Sequence, residues 1–324
     1  MSRVRWGRGA VGALGALLVP ACLLVTDLDG LSGGSPPPTP DTGSDADAIA
    51  PGVDAGREGS TTDSGGDAAP SCDPTAAFAA PVLVPDVNSG ASERSVTLTA
   101  DELEICVESA RSGGRGSDDI WCGTRASRSS RFGALVNLGP VNATTSEFAP
   151  AFSADGLVLF FTSDRAGTLD LWSATRATRG DTFGTPVVVS ALSGSADDVD
   201  TSLVGGNVYF DSNRSGNWEI YLSEAGGPPA RVDAVSSSAN EYMPVASGDE
   251  LTLYFNRGGL DGDIFVARRA SRGVPFGAPV PVTELNTTAG EWPRFLSPDQ
   301  CRLYLGSNRA GGSGTSIWMA ERKP

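Results

Sequence analysis

The sequence repeats one unit of about 50 residues five times, and this repeat limits the possible folds more than any other feature. Each unit begins with an acidic residue, and the steps between successive acids are 54, 51, 43 and 50 residues. The five leading acids are Glu93, Glu147, Asp198, Glu241 and Glu291. Regular repeats of this length are typical of propellers, solenoids and other arrays of small structural units.

Each unit contains short apolar segments separated by turn-forming residues. In the second unit the order is EFAPAF, the turn SADG, the apolar run 157–161, a glycine-containing hairpin and a further apolar run. Such runs are too short for helices and are bounded by Gly, Asp and Ser, so they predict buried strands. Four strands in 45 to 50 residues is the period of a propeller blade.

A fourth-strand signature indicates how the ring closes. Phe132-Gly, Phe183-Gly and Phe276-Gly each end a unit, and a related segment, Phe78-Ala-Ala-Pro, stands before the first unit. We therefore expect a strand at about 81–86 to complete the last blade, which would remove an exposed sheet edge. The prediction is an all-β, five-bladed propeller of four-stranded antiparallel blades over residues 76–324.

The repeat pattern E-x-x-P-x-F-S-x-D-G-x-x-L-x-F-x-S-D-R-x-G-x-x-D-L-W resembles the WD40-like repeat of TolB-like propellers. The resemblance covers residues 78–324 and is most specific in the second, fourth and fifth units. TolB propellers are six-bladed and carry an added N-terminal domain, whereas this sequence shows five units. The resemblance therefore implies the fold rather than the partners of TolB.

Residues 1–21 are typical of a bacterial export signal. Arg3, Arg5 and Arg8 precede a short apolar stretch at 9–18, and the segment ends in Val-Pro-Ala-Cys22. This ending resembles a lipobox, so we expect cleavage before Cys22 and lipidation of its sulfur. Ordinary signal cleavage and a retained anchor are the alternatives. Leu23 after the cysteine favours the outer membrane.

Residues 22–75 are predicted to be a disordered acidic linker after the lipidated cysteine. The segment is poor in large apolar side chains and rich in Asp, Gly, Ser, Thr and Pro, so it cannot bury enough surface to offset its ordering entropy. Its aspartates do not follow the ligand spacing of a calcium loop. We expect it to act as a solvated spacer between the membrane and the propeller.

Composition excludes several classes of function. The 324 residues contain no histidine, which rules out catalysis and metal binding that depend on imidazole. Acidic residues outnumber basic ones by 39 to 24, giving a net charge of −15, so a nucleic-acid partner is not expected. No phosphate-binding loop, nucleophile elbow or paired-cysteine motif occurs in the sequence, and we expect no cofactor and no metal.

The five leading acids form the first candidate site. Fivefold repetition would place them around one mouth of the central channel, together with Trp292, which follows the last acid. Such a ring could bind a cation or a basic peptide. Because uncompensated carboxylates close together repel one another, structural ties to arginines and backbone amides of neighbouring blades are the alternative, which we prefer.

Arginines, acids and aromatic residues also recur in the hairpin of each unit. The arginines are Arg111, Arg165, Arg214, Arg257 and Arg309. The acids are Asp119, Asp170, Glu219 and Asp263. The aromatics are Trp121, Trp172, Tyr221, Phe265 and Trp318. We expect each arginine to pair with the hairpin acid of its own unit, and each aromatic residue to pack between sheets rather than to stack on a sugar.

Four cysteines follow Cys22, and an exported protein can oxidise them. Cys106 and Cys122 fall on facing arms of one hairpin in the repeat alignment. Cys72 precedes the predicted closing strand, and Cys301 opens the second strand of the last unit. The sequence therefore predicts the disulfides Cys72–Cys301 and Cys106–Cys122.

Together these features predict an exported, lipid-anchored propeller that binds an envelope protein or peptide without catalysis and acts as a monomer. The alternative is a carbohydrate-active enzyme or a lectin that uses carboxylates at the channel mouth, because a two-carboxylate mechanism does not require histidine. The repeated position of the acids argues against an enzyme, since an active site makes one or two blades different from the rest.

Overall fold

The structure is a computed structural model, and it describes residues 72–309 and 314–323. In these ranges twenty strands form five four-stranded antiparallel sheets. The predicted export signal, Cys22 and all but the last residues of the predicted linker lie outside the described residues. No helix in the described part of the chain is both long and apolar enough to cross a membrane.

Each sheet is one blade, and in four of the five blades the strands follow one another in sequence order from the axis outwards. The innermost strands are β2 (Glu93–Leu98), β6 (Glu147–Phe152), β10 (Asp198–Val204), β14 (Glu241–Ala246) and β18 (Glu291–Leu296). The second strands are β3 (Glu104–Ser109), β7 (Val158–Ser163), β11 (Asn207–Ser212), β15 (Thr252–Arg257) and β19 (Arg302–Ser307). The third strands are β4 (Asp119–Thr124), β8 (Asp170–Thr175), β12 (Glu219–Ser223), β16 (Asp263–Arg268) and β20 (Ser316–Glu321).

The outermost strands contain two residues each. They are β5 (Val136–Asn137), β9 (Val187–Val188), β13 (Ala230–Arg231), β17 (Val280–Pro281) and β1 (Val82–Leu83). Short 3₁₀ helices lie at Gly139–Val141, Asp233–Val235 and Gly259–Asp261. Such short outer strands leave little free edge for pairing with another chain.

The ring closes as the sequence predicts. Strand β1 precedes all the repeats yet pairs with β20, with Val82 opposite Met319 and Leu83 opposite Trp318. Phe78 adds an isolated bridge to Arg322. The last blade is therefore built from both ends of the domain, and the predictions of five blades and of a shared closing sheet are confirmed.

The hydrophobic core lies between neighbouring blades rather than at one centre. Five clusters of buried side chains each join two successive blades. Phe160, Phe210 and Phe255, on second strands, are among the largest fully buried side chains. Because each cluster needs two blades, no single repeat can bury its own apolar surface, and the stability of the ring depends on contacts between neighbours.

The innermost strands bend at a β-bulge close to the axis. All five change register two or three residues after the leading acid. Ala149, Asp200 and Met243 occupy this bulge with φ of 51°, 49° and 57°, which is left-handed backbone that side chains other than glycine rarely adopt. In two of these strands the next residue is a proline, which has no backbone N–H to donate. This is compatible with an innermost strand, one edge of which pairs with no other strand.

At the opposite end of the axis, two buried glutamates tie neighbouring blades together. Glu102 stands in left-handed conformation (φ 61°) where the second repeat has Gly156 (φ 72°). Its carboxylate accepts hydrogen bonds from Arg302 at 2.7–3.1 Å and from Tyr304 at 3.2 Å, in the preceding blade. Glu250 (φ 58°) repeats this arrangement between the third and fourth blades.

Both predicted disulfides are present. Cys72 and Cys301 are joined with their Cα atoms 5.7 Å apart, across 229 positions of sequence. Cys106 and Cys122 are joined across 16 positions, on facing strands of the first blade. Disulfides are typical of proteins that mature outside the reducing cytosol, so the chain is that of an exported protein.

The ring-closing disulfide should stabilise the fold more than the hairpin disulfide does. In the chain-entropy model, a bridge across 229 positions is worth about 5 kcal/mol and one across 16 positions about 3 kcal/mol. We expect Cys72→Ala/Cys301→Ala to lower the free energy of unfolding in urea by more than the matched variant Cys106→Ala/Cys122→Ala. Equal losses, or the reverse order, would contradict this role.

Candidate functional site

The five leading acids are buried ties rather than an open ring. All five are 0% exposed. Each carboxylate bonds an arginine of its own blade at 2.5–3.3 Å. The pairs are Glu93–Arg111, Glu147–Arg165, Asp198–Arg214, Glu241–Arg257 and Glu291–Arg309. The geometry favours the structural alternative for these acids, with arginines of the same blade as partners rather than arginines of neighbouring blades.

Each tie also fixes the loop that enters its blade. In the second blade, Glu147 accepts a hydrogen bond from the Ala143 amide at 2.7 Å and from the Ser163 hydroxyl at 2.9 Å. Arg165 meanwhile donates to the Val141 carbonyl at 2.7 Å. The other four arginines donate to the equivalent carbonyls at 2.8, 2.7, 2.9 and 2.8 Å. One ion pair therefore holds the incoming loop, the first strand and the second strand together.

The predicted pairing of the hairpin arginines with the hairpin acids is wrong. The arginines pair with the leading acids instead, although Asp119, Asp170 and Glu219 are buried as well. Asp119 instead accepts hydrogen bonds from the Gly116 amide at 3.0 Å and from Asn137 at 2.9 Å. Asp170 accepts one from Thr168 at 2.9 Å. These acids order their own hairpins.

The repeated aromatic residues pack beneath the arginines. In every blade the guanidinium carbon lies 4.7–5.6 Å from the ring of the third-strand aromatic. Acid, arginine and aromatic thus form one repeated unit, and this cation–π stacking agrees with the predicted packing role.

Trp292 is not the exposed ligand contact that its position in the sequence suggests. It is 4% exposed, and its indole nitrogen donates to the Gly259 carbonyl of the fourth blade at 3.1 Å. The turn that contains Gly259 packs against the start of the fifth blade and covers the indole ring of Trp292. Trp292 therefore joins two blades, and it is too buried to contact a ligand at the mouth.

The axis is closed at the level of the bulges. The cavity there is about 10 Å³ and is lined by residues of all five innermost strands, among them Ser95, Asp200, Thr201 and Arg294. A cavity of this size holds at most one water molecule, whereas binding pockets for small molecules measure roughly 300–1,000 Å³. No sugar ring or similar substrate fits at this point.

Six charged side chains, here called the axial cluster, run from this closed level to the mouth where the innermost strands begin. They are Arg94, Glu108, Asp118, Asp200, Asp211 and Arg294. Arg294 of the fifth blade pairs with Asp200 of the third and donates to the Arg94 carbonyl of the first at 3.1 Å. The cluster therefore links three blades around the axis.

Each arginine of the axial cluster faces two carboxylates. Arg94 lies 3.1 Å from Glu108 and 3.5 Å from Asp118. Arg294 pairs with Asp200, and Asp211 adjoins this pair. Among the described residues, one oxygen each of Asp118 and Asp211 is buried without a hydrogen-bond partner. The axial cluster thus holds four carboxylates and two guanidinium groups.

Burial shifts the acidity of two of these carboxyl groups. It raises the pKa of Glu108, against the opposing charges of Arg294 and Arg94. Burial, and then the charge of Asp200, raises the pKa of Asp211 well above the usual range of an aspartate. The other oxygen of Asp211 accepts a hydrogen bond from the Met243 amide at 2.9 Å.

Sequence reasoning missed the axial cluster, although one signal for it exists. Glu108 and Asp211 occupy the same second-strand position, which holds Thr162, Asn256 and Gly306 in the other blades. The fold predicts that this position is repeated, so a charge in two blades out of five marks a break in symmetry. Attention to the positions that differ between repeats would have found it.

The mouth of the axis also differs from blade to blade. Arg94 lies at one side, with 45% of its side chain exposed. Across the ring, Trp218 of the third blade packs on Tyr242 of the fourth with ring centroids 5.4 Å apart, and both are partly exposed. Leu260, in the turn that covers Trp292, is 74% exposed. The mouth therefore presents a cation, two aromatics and an apolar side chain.

Larger cavities lie at the outer rim, between the short outer strand of one blade and the loop of the next. One of about 420 Å³ lies between the third and fourth blades, beside Leu222 and Phe276. Two equivalent grooves of about 220 Å³ each lie between the fifth and first blades and between the fourth and fifth. Because they recur, they follow from the packing of successive blades, and we place the candidate site at the axis. Within the described ranges no three acids or cysteines are arranged to hold a metal ion.

No family model matches the sequence. No curated protein matches it either. Solved structures similar to the chain include TolB from Acinetobacter baumannii, at 17% identity and a TM-score of 0.46, over 72% of this chain and 55% of that one. The chain thus spans about half the length of that protein.

Two further similar structures have the same TM-score. The putative TolB from Agrobacterium tumefaciens is 15% identical, with a TM-score of 0.46 over 67% of this chain and 70% of that one. The alpha-L-arabinofuranosidase PaAbf62A from Podospora anserina, in complex with cellotriose, is 12% identical, with a TM-score of 0.46 over 78% and 99%. TolB proteins are thus among the similar structures, as the repeat pattern predicts, and neither activity nor partner is taken from these similarities.

Removing the arginine from one tie should destabilise the fold. Arg165→Met leaves Glu147 buried without its cation, and we expect the free energy of unfolding to fall by about 3 kcal/mol. Arg131→Met is the matched control, because Arg131 is 74% exposed and pairs with an exposed aspartate, so it should change stability by less than about 1 kcal/mol. Equal effects in urea unfolding would contradict the structural role of the tie.

Asp211→Asn should stabilise the protein near pH 8. The amide keeps the acceptor for Met243 and removes a buried charge beside Asp200, a gain of about 1–2 kcal/mol. A carboxyl whose pKa is raised on folding favours the folded state when protonated, so its contribution is lost as pH rises from about 4 through the folded pKa. The advantage of the variant should therefore shrink as pH falls.

The reverse substitution in the next blade provides the control. Asn256 donates to the Glu291 carbonyl at 2.9 Å, and Asn256→Asp would set a carboxylate against that oxygen. We expect this variant to be destabilised at pH 8 by about 2 kcal/mol. Thermal unfolding of both variants at pH 5 and pH 8 tests the pair, and a destabilised Asp211→Asn at pH 8 would contradict the interpretation.

Proposed function

We propose that this chain is a non-catalytic binding module of the cell envelope, and that it presents the mouth of its axis to a protein or peptide. The observation that carries the proposal is the combination of a closed axis with an asymmetric mouth. On the axis, a cavity of about 10 Å³ leaves no room for a small substrate, whereas Arg94, Trp218, Tyr242 and Leu260 offer exposed or partly exposed contacts at the mouth. Exposed aromatic, apolar and arginine side chains of this kind suit a macromolecular partner.

The same contacts weigh against a carbohydrate-active enzyme or a lectin at this mouth. A glycosidase needs two carboxyl groups about 5–10 Å apart with space for a sugar between them. Here the leading acids are 0% exposed and bonded to arginines. A lectin would need accessible repeated aromatic rings, and these rings lie beneath the same arginines.

The location in the envelope belongs to the proposal. An export signal at 1–21 would direct the chain out of the cytoplasm, and a lipid on Cys22 would hold it at the outer membrane. The acidic linker would then set the propeller away from the lipid surface, as a monomer. The two disulfides support an oxidising compartment.

Leu260→Glu should abolish capture of the partner without affecting the fold. Leu260 is 74% exposed, so a charge there costs little stability but places a repulsive group in the contact surface. The matched control is Val136→Glu, at a 63% exposed position on the outer rim. Cross-linking pull-downs with the full chain, from an envelope extract of the source bacterium, should recover one partner with the wild type and the control and lose it with Leu260→Glu. Equal recovery by all three would contradict a site at the mouth.

A further inference from the structure

The axial cluster contains more carboxylates than its own cations can satisfy. Glu108 and Asp118 contact Arg94, with the charge of Arg294 also acting on Glu108, while Asp200 and Asp211 lie beside Arg294. If all six groups were ionised, four negative charges would face two positive ones. Partly buried groups are screened less by solvent than surface groups are, so an excess of negative charge attracts a further cation.

The axial cluster has two halves, one around Arg294 and one around Arg94, and they differ in how the excess negative charge is compensated. Asp211 is fully buried, one of its oxygens has no partner among the described residues, and burial raises its pKa, which favours uptake of a proton in this half. Asp118 lies nearer the surface, with 15% of its side chain exposed, and its partnerless oxygen stands beside the weaker contact of Arg94, at 3.5 Å. The partnerless oxygen of Asp118 is itself buried and the Glu108 side chain is 3% exposed, so a ligand can reach this half when the partly exposed Arg94 moves aside.

We propose that the mouth binds a cationic side chain, lysine or arginine, of the partner, at the carboxylates of Glu108 and Asp118. The inference rests on the proposed function and names the chemistry of its partner as a basic peptide segment. Arg94 occupies part of this site in the structure, and with 45% of its side chain exposed it can move aside at little cost. The site is thus one in which a cation of the protein competes with a cation of the partner.

The surroundings favour an organic cation over a metal ion. The described residues hold no group of three or more acids arranged as metal ligands. Across the mouth, the aromatic side chains of Trp218 and Tyr242 are partly exposed. Tyr242 directly precedes Met243, whose amide donates to Asp211 at 2.9 Å, so the tyrosine lies next to the axial cluster. Carboxylates on one side and aromatic faces on the other are the groups that bind guanidinium and ammonium side chains.

The test uses two capped heptapeptides, Gly-Ser-Gly-X-Gly-Ser-Gly, in which X is arginine or the uncharged citrulline of the same shape. Binding to the full chain is followed at low ionic strength by tryptophan fluorescence and by isothermal titration. We expect the arginine peptide to bind at least about tenfold more tightly than the citrulline peptide, and high salt to remove the difference. Equal affinity, or binding of neither peptide, would overturn the proposal.

Variants of the protein make the test specific to the axial cluster. Asp118→Asn should weaken binding of the arginine peptide by about fivefold, whereas Asp261→Asn, an exposed acid in the turn of Leu260, should change it by less than about twofold. Arg94→Gln should strengthen binding by about threefold or more, because the competing cation is gone. A thermal melt establishes that each variant is folded, and weaker binding by a folded Arg94→Gln would overturn the competition.

The outcomes separate this inference from the proposed function. If the partner captured by the wild type is lost with Leu260→Glu, but the arginine and citrulline peptides bind alike, the mouth is a binding surface without a cation site. If neither measurement shows binding at the mouth, both proposals fail. A gain of affinity in Arg94→Gln is not expected from a purely structural role of Arg94, which gives the cation site its own readout.

Discussion

The ring depends on one ion pair that is repeated in every blade. Each leading acid is fully buried in the folded protein. A buried carboxylate is tolerated only when a cation and several hydrogen-bond donors surround it. The arginine that pairs with this acid also donates a hydrogen bond to the carbonyl of the incoming loop and stacks on the third-strand aromatic residue. In this way the three chain segments that meet at the start of a blade are held together. The apolar clusters between blades can then form in one register.

The fourth blade keeps this tie although its sequence departs from the pattern. Arg257 is the residue opposite Glu241 in the ladder, a position that holds serine in the other blades, where the arginine follows two residues later. Its side chain nevertheless bonds Glu241 at 2.8 Å and the Val235 carbonyl at 2.9 Å. The altered spacing leaves room for the 3₁₀ turn at Gly259–Asp261, which covers Trp292 and exposes Leu260. A local change in one repeat thereby creates most of the asymmetry on that side of the mouth.

How much the sequence reveals depends on whether a feature is repeated. Blade number, ring closure and both disulfides follow from aligning the repeats, because equivalent positions occupy equivalent places in space. The partners of the arginines do not follow from the sequence, since Glu147 and Asp170 both belong to the same repeat as Arg165 and both are buried. The axial cluster does not follow from the repeat alignment, because Arg94, Asp200 and Arg294 meet across the axis from three blades that are distant in sequence. Alignment of repeats gives no information about contacts between positions that are not equivalent.

The position of the ring-closing disulfide has a mechanical consequence. Cys72 stands before β1, so a force that pulls on the chain from its N-terminal side reaches Cys301 before it reaches the two-residue pairing of β1 with β20. Cys301 leads directly into β19, which is hydrogen-bonded on both sides, to β18 and to β20. The load therefore passes into the best-anchored strand of the blade. A domain held by its N-terminal end could bear tension in this way without its weakest strand peeling off first.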